Sequence, residues 1–103
     1  MNSVCLTGRL TRKPEQFKAQ NGTEIAKFTI AVDRGDKDKN TDFPYITAFG
    51  KVAEAVNKYL DKGRLVAVHG KIQTGSYKGK DGNTVYTTDV VADVVQFLDS
   101  KKD

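Results

Sequence analysis

The sequence predicts an all-β barrel of five strands in Greek-key order, with one helix between the third and the fourth. Three observations point there. Val, Ile and Thr fill 25 of the 103 positions, and β-branched residues favour strands. Four segments carry apolar residues at every second position, the period of a half-buried strand, and a fifth is rich in Val and Thr. A single stretch, 51–61, has helical period instead, and it falls after the third strand segment.

The first segment, Asn2 to Thr11, sets Val4, Leu6, Gly8 and Leu10 on one side and Cys5, Thr7 and Arg9 on the other. Gly8 in its middle predicts a bulge or sharp coil, which small barrels need in order to close. Lys13-Pro14-Glu15 ends the segment, and Asn21-Gly22 marks a hairpin turn. The second strand, Glu24 to Asp33, puts Ala26, Phe28, Ile30 and Val32 on one face and Lys27 and Thr29 on the other. The charged run Arg34 to Thr41 reads as a mobile loop. In the third strand, Asp42 to Gly50, Pro44, Ile46 and Ala48 share one face; Phe43, Tyr45, Thr47 and Phe49 share the other.

Helical spacing from Lys51 to Asp61 gathers Val52, Ala55, Val56, Tyr59 and Leu60 into one apolar stripe. Gly63 is expected to cap its end. The fourth strand, Arg64 to Thr74, sets Val66, Val68, Gly70 and Ile72 against Leu65, Ala67, His69 and Lys71. Gly75 to Asn83 is expected to form a long hairpin tip, and Thr84 to about Leu98 the fifth strand. One helix after three strands and before two is the order of an OB-fold, where the helix plugs the open end of the barrel. Other mixed α+β arrangements satisfy the same order. One domain is expected over 1–98, with a short charged, frayed end over 99–103.

Length and composition exclude several classes. At 103 residues the chain makes one domain. Its apolar runs are too short to span a membrane, and its start lacks the pattern of a secretory signal. One Cys forms no internal disulfide and fits a reducing, cytoplasmic setting. One His and one Cys leave little for a zinc site or a Cys–His pair. The net charge of +4 suits a polyanionic partner but is also ordinary for solubility.

Particular residues then carry a resemblance. Phe49-Gly50-Lys51-Val52-Ala53-Glu54-Ala55-Val56 with Tyr59-Leu60-Asp61-Lys62-Gly63 resembles the strand-to-helix passage of bacterial and phage single-stranded-DNA-binding proteins. Thr7-Gly8-Arg9-Leu10 with Lys13-Pro14-Glu15 is similar to that family's first strand. Phe28-Thr29-Ile30-Ala31-Val32 resembles its second and Tyr86-Thr87-Thr88-Asp89-Val90-Val91-Ala92 its fifth. The resemblance covers nearly the whole chain. It implies a homotetramer of OB-folds in the bacterial cytoplasm or nucleoid, host- or phage-encoded. It also implies binding of unpaired DNA with little sequence preference, in replication, recombination or repair. By the same resemblance Phe43, Phe49 and Tyr77 match its base-stacking aromatics. Two departures stand out. Arg34-Gly35-Asp36 carries no aromatic where many members have one. The sequence stops at Asp103, short of the Gly/Pro/Gln-rich tail with an acidic tip by which such members recruit other proteins, and three readings stay open: a phage or mobile-element origin, a trimmed chain, or a protein that dispenses with tail-mediated recruitment.

Read from the residues alone, Phe43, Tyr45, Phe49 and Tyr77 fit either a base-stacking platform or packing at a dimer interface or under a loop. Stacking tolerates any base, because every base has a π-face. Cations interleave with these aromatics, and Arg9, Lys51, Lys71 and Lys78 are the candidate phosphate contacts; a scatter of Lys on a solvated surface is the alternative. Phe17, Phe28, Tyr59 and Phe97 call for no function, and Phe28 and Tyr59 are expected in the core. The loop from Asp36 to Asp42 imitates a calcium loop but has Thr41 where Gly is needed and Thr47 where Glu is needed, so no metal or other cofactor is expected. His69 is expected on an outward strand face without a Ser or Cys partner. No catalysis is expected. The competing readings are a primosomal accessory or RNA-binding OB protein, or a small OB-barrel nuclease.

Overall fold

The computed structural model describes residues 1–99. Among them run β1 (Val4–Leu10), β2 (Glu15–Lys18), β3 (Glu24–Asp33), β4 (Thr41–Asp42), β5 (Tyr45–Phe49), α1 (Gly50–Tyr59), β6 (Leu65–Lys78) and β7 (Thr84–Phe97). Five strands follow one another around a closed ring, β1-β6-β7-β5-β3. The ring shuts where the end of β1 pairs with β3, Arg9 opposite Ala31 and Leu10 opposite Ile30. The β5–β7 ladder is parallel; the others are antiparallel. This is the five-strand, one-helix architecture expected of an OB-fold.

Alternation decides the core. Leu10 of β1, Ala26, Phe28 and Ile30 of β3, Ile46 and Ala48 of β5, Val66 and Val68 of β6, and Val90 and Ala92 of β7 all point inward and are buried. Fully burying a side chain of the Val, Ile or Phe size stabilises by about 1.5–3 kcal/mol. Helix α1 packs on β3, β5 and β7. It contributes Ala53 and Val56, with Leu60 just past its end.

The expected bulge at Gly8 is absent: the β1–β6 register runs unbroken from Val4 to Arg9. Gly8 is needed for another reason. A Cβ there would strike the carbonyl oxygen of Ala31, because β3 crosses close over β1 where the ring closes. The bulge lies elsewhere, between His69 and Gly70, and leaves Asp93 as the extra residue on β7.

Several expected boundaries move. The sequence pattern does not predict β2; it arises because Glu15–Lys18 finds a partner in Lys27–Glu24. Phe43 and Pro44 precede β5 and belong to no strand. Gly75 to Lys78 are not hairpin tip but strand, paired with Thr87 to Thr84, so β6 and β7 run on as a two-stranded arm beyond the ring. Ile72 has the inward parity but is part-exposed, since the arm leaves the core there. The tip shrinks to residues 79–83, tied by Gly79 N–H to the Asn83 carbonyl at 2.8 Å.

The helix ends at Tyr59, earlier than Asp61, because Leu60 is already extended. Its buried side is Ala53, Val56 and Asn57, so the stripe is rotated from the expected one. Tyr59 is 47% exposed and not core; its ring meets Phe97 edge-on at 6.2 Å. Gly63 does not cap the helix. It turns the chain into β6 and donates its N–H to the Leu10 carbonyl. Asp99 is not frayed: its carboxylate accepts from the Leu65 N–H at 2.9 Å. The rest of the charged end, 100–103, lies outside the described residues.

Candidate functional site

Residues directly opposite in a ladder project from the same side, so register maps the outer face. One row crosses five strands: Glu15, Lys27, Thr47, Val91 and Lys71. A neighbouring row holds Phe17, Ile25 and Phe49. On the other side, Tyr45 faces Thr29. Thr47 shares the parity of the exposed aromatics but is itself nearly buried.

Phe43, at the approach to β5, is 61% exposed. It shares a cleft of about 360 Å³ with Tyr45 and with the cations Arg12, Lys13 and Lys27. Tyr45 is half-buried there. Burial first, then the charges of Glu15 and Asp89, hold its phenol above the ordinary tyrosine pKa. Phe49 is 47% exposed, as the last residue of β5. Tyr77 is 59% exposed on the arm. It has the parity of Lys71, Gln73 and Gly75, so ring and ammonium lie on one face of β6.

The candidate cations divide. Lys71 stands in the central row. Lys78 adjoins Tyr77 in sequence, but alternation turns it to the arm's other side. Lys51 is the second residue of the helix, after Gly50, whose φ of +66 swings the chain away from the strand direction. It lines a depression with Asp93, Val94 and Phe97, apart from the Phe43 cleft. Arg9 lies where β6 begins, six residues from Lys71, or roughly 20 Å along the strand. Its guanidinium donates to the Gly63 carbonyl at 2.9 Å and to Asp99 at 3.3 Å. The structure therefore brings Phe43 and Tyr45 together in one cleft and sets Phe49 and Lys71 in neighbouring rows of the outer face. Tyr77 and Arg9 share the parity of Lys71 but lie roughly 20 Å from it in opposite directions along β6, and Lys51 and Lys78 turn aside. Sequence reasoning passes over Lys27, Arg12 and Lys13. The signal for Lys27 is its place on the polar parity of the strand that carries Phe28.

The acidic loop is internally occupied. Asp36 accepts from both the backbone and side-chain amides of Asn40 at 3.0 Å, which lowers its pKa. Asp42 accepts two bonds from Arg34, at 2.6 and 3.2 Å, and its pKa also falls. His69 does have a serine neighbour, correcting the expectation. Its Nδ1 lies 2.7 Å from the carboxylate of Asp93, the bulged residue, and its Nε2 lies 3.0 Å from Ser3 Oγ. Folding joins residues 66 positions apart in sequence. No helix among the described residues is long and apolar enough to cross a membrane.

Comparison with known proteins places the whole chain. Residues 1–98 match the Single-strand binding protein family. The "Single-stranded DNA-binding protein" of Clostridium perfringens (strain 13 / Type A) is 50% identical over 101 residues, covering 97% of this chain and 67% of its own length. "Single-stranded DNA-binding protein 1" of Staphylococcus aureus (strain MSSA476) is 48% identical, covering 98% of this chain and 67% of its own length. "Single-stranded DNA-binding protein 3" of Clostridium acetobutylicum is 48% identical over 103 residues, covering 96% and 72% respectively.

Proposed function

The chain belongs to the single-strand binding protein family and binds single-stranded DNA; we propose that it does so on the outer face of the strand ring, by base stacking and phosphate neutralisation. The observation that carries this reading is the orientation of three rings. Phe43, Phe49 and Tyr77 all project away from the core, each about half exposed or more. Unpaired bases stack on such rings regardless of sequence, at about 1–3 kcal/mol per base. Tyr45 forms the floor beside Phe43. Lys71 meets phosphate in the central row. Lys78, Lys51 and Arg9 meet the backbone where the strand passes to the arm's far side, over the helix and toward the start of β6. Catalysis forms no part of the reading.

Oligomer formation is the second part of the proposal. From Val4 to Gly8, β1 pairs with β6 on one side, and among the described residues its other edge carries no strand. An open edge of this kind accepts a partner strand. A homotetramer would present several such faces to one strand and raise its affinity by multivalency. In this reading the protein shelters unpaired DNA in the cytoplasm during replication, recombination or repair.

The test is a titration with a deoxythymidine oligomer at two salt concentrations, with duplex DNA as competitor. Binding should weaken steeply with salt and resist the duplex. Phe49→Ala should weaken it by about 1–3 kcal/mol without unfolding the protein. Unchanged affinity in that variant would reject the stacking assignment. Sedimentation of the free protein tests the oligomer.

A further inference from the structure

Phe17 has no evident structural duty. All four residues of β2 are exposed, and Phe17 itself is 46% exposed on the edge strand of the sheet. It takes no part in the buried cluster. Its place is nonetheless fixed. Phe17 lies opposite Ile25, and Ile25 lies opposite Phe49, so the two phenyl rings flank one aliphatic residue on the same outer face. Two strand spacings separate them, roughly 10 Å. Lys27, two residues along β3 from Ile25, places Nζ 5.3 Å from the centroid of the Phe17 ring. A cation at that distance is attracted by the ring's quadrupole and restrains its orientation.

An exposed ring held beside an ammonium is the pairing that single-stranded nucleic acid requires: a flat apolar surface for the base and a positive charge for the phosphate next to it. We propose that Phe17 and Lys27 form a further nucleotide subsite, which carries the bound strand past Phe49 to the edge of the sheet. Phe17 stacks on one base and Lys27 neutralises the adjoining phosphate. Glu15, opposite Lys27 in the ladder, limits how much negative charge collects there. The proposal rests on the outer face being the single-strand interface, and it adds a position to that face which the pattern of the sequence does not suggest.

The chain has no tryptophan, so Phe17→Trp makes a sole indole reporter. Deoxythymidine oligomer is added to this variant, with the parent, Phe17→Ala and Phe49→Ala titrated in parallel. The expected result is quenching of the indole emission that saturates together with binding. Phe17→Ala should bind at least about fivefold more weakly, the loss of one stacked base, with an unchanged circular dichroism spectrum and melting temperature. If Phe49→Ala weakens binding while Phe17→Ala binds like the parent and the indole emission stays constant, the subsite is refuted and the wider face survives. If the parent itself does not bind the oligomer, both readings fall together.

Discussion

Arg34 and Asp42 clasp the ends of the charged loop: the guanidinium reaches one carboxylate oxygen at 2.6 Å and the other at 3.2 Å. This bidentate geometry converts a segment of charged residues into a closed turn next to β3 and β4. Within it, Asp36 holds Asn40 by two further bonds.

The loop should therefore be indifferent to pH near neutrality and loosen only in acid. Both carboxylates are held below their ordinary pKa, Asp36 by hydrogen bonds from Asn40 and Asp42 by Arg34. A depressed carboxyl stabilises fully above its unfolded value, about 3.9, and loses that contribution as pH falls through the lower folded value. Amide exchange of residues 34–42 should stay protected down to about pH 4 and rise below it. Loss of protection near pH 6 would contradict the assignment.

Lys71 and Arg9 should respond differently to neutralisation. Lys71 stands in the central row of the outer face, whereas Arg9 is bonded to Asp99 and Gly63. Each phosphate neutralised on a single strand contributes about 0.7 to the slope of log affinity against log salt. Lys71→Gln should lower that slope by about this much. Arg9→Gln should change it less and lower the melting temperature more. The reverse ranking would move the phosphate path toward the start of β6.

Tyr45 should be a late-titrating tyrosine among the four in the chain. Burial raises its phenol pKa, with Glu15 and Asp89 adding to the effect. A raised group stabilises the fold fully below its unfolded value, and that contribution is lost as pH rises through the folded one. In an alkaline absorbance titration, Tyr45→Phe should remove a late step and Glu15→Gln should bring it forward. If the step lost in Tyr45→Phe lies with the other tyrosines instead of after them, the cleft floor is wetter than the burial of its ring implies.

Gly8→Ala should destabilise without touching the binding face. The added methyl meets the Ala31 carbonyl, which is backbone and cannot rotate aside. Overpacking of this kind costs about 1–3 kcal/mol. For a domain of this size that lowers the melting temperature by roughly 4–8 °C per kcal/mol. A melting curve identical to the parent's would mean that β1 and β3 part more easily than the ring closure implies.

Most of the fold is legible because burial writes itself into period two. Ala26, Phe28 and Ile30 alternate with Ile25, Lys27 and Thr29, and the structure buries the first set. The strand β2 is not legible, since Glu15-Gln16-Phe17-Lys18 has no buried face and exists only by pairing with β3. The arm is missed for a related reason: Gly75 to Lys78 look like turn residues until Thr84 to Thr87 supply the opposite strand. Tyr59 fits a helical stripe, but the helix rolls so that Ala53 and Val56 meet the core and Tyr59 slides to its margin.

Local pattern determined the main strand segments, the single helix and the outward parity of Phe49 at the end of β5. The closure of the ring, and the places of Phe43 before β5 and Tyr77 on the arm, came from tertiary pairing. Alternation is a property of neighbouring residues, so it can be read along one dimension. Tertiary structure decided which cations accompany those rings. Adjacency in sequence suggests Lys51 and Lys78, but a positive φ at Gly50 and the strand pleat turn them aside. Register across β2, β3, β5, β7 and β6 sets Lys27 and Lys71 in one row instead. Proximity across a sheet is fixed by hydrogen-bonded pairing between distant segments, and no spacing within a single segment encodes it.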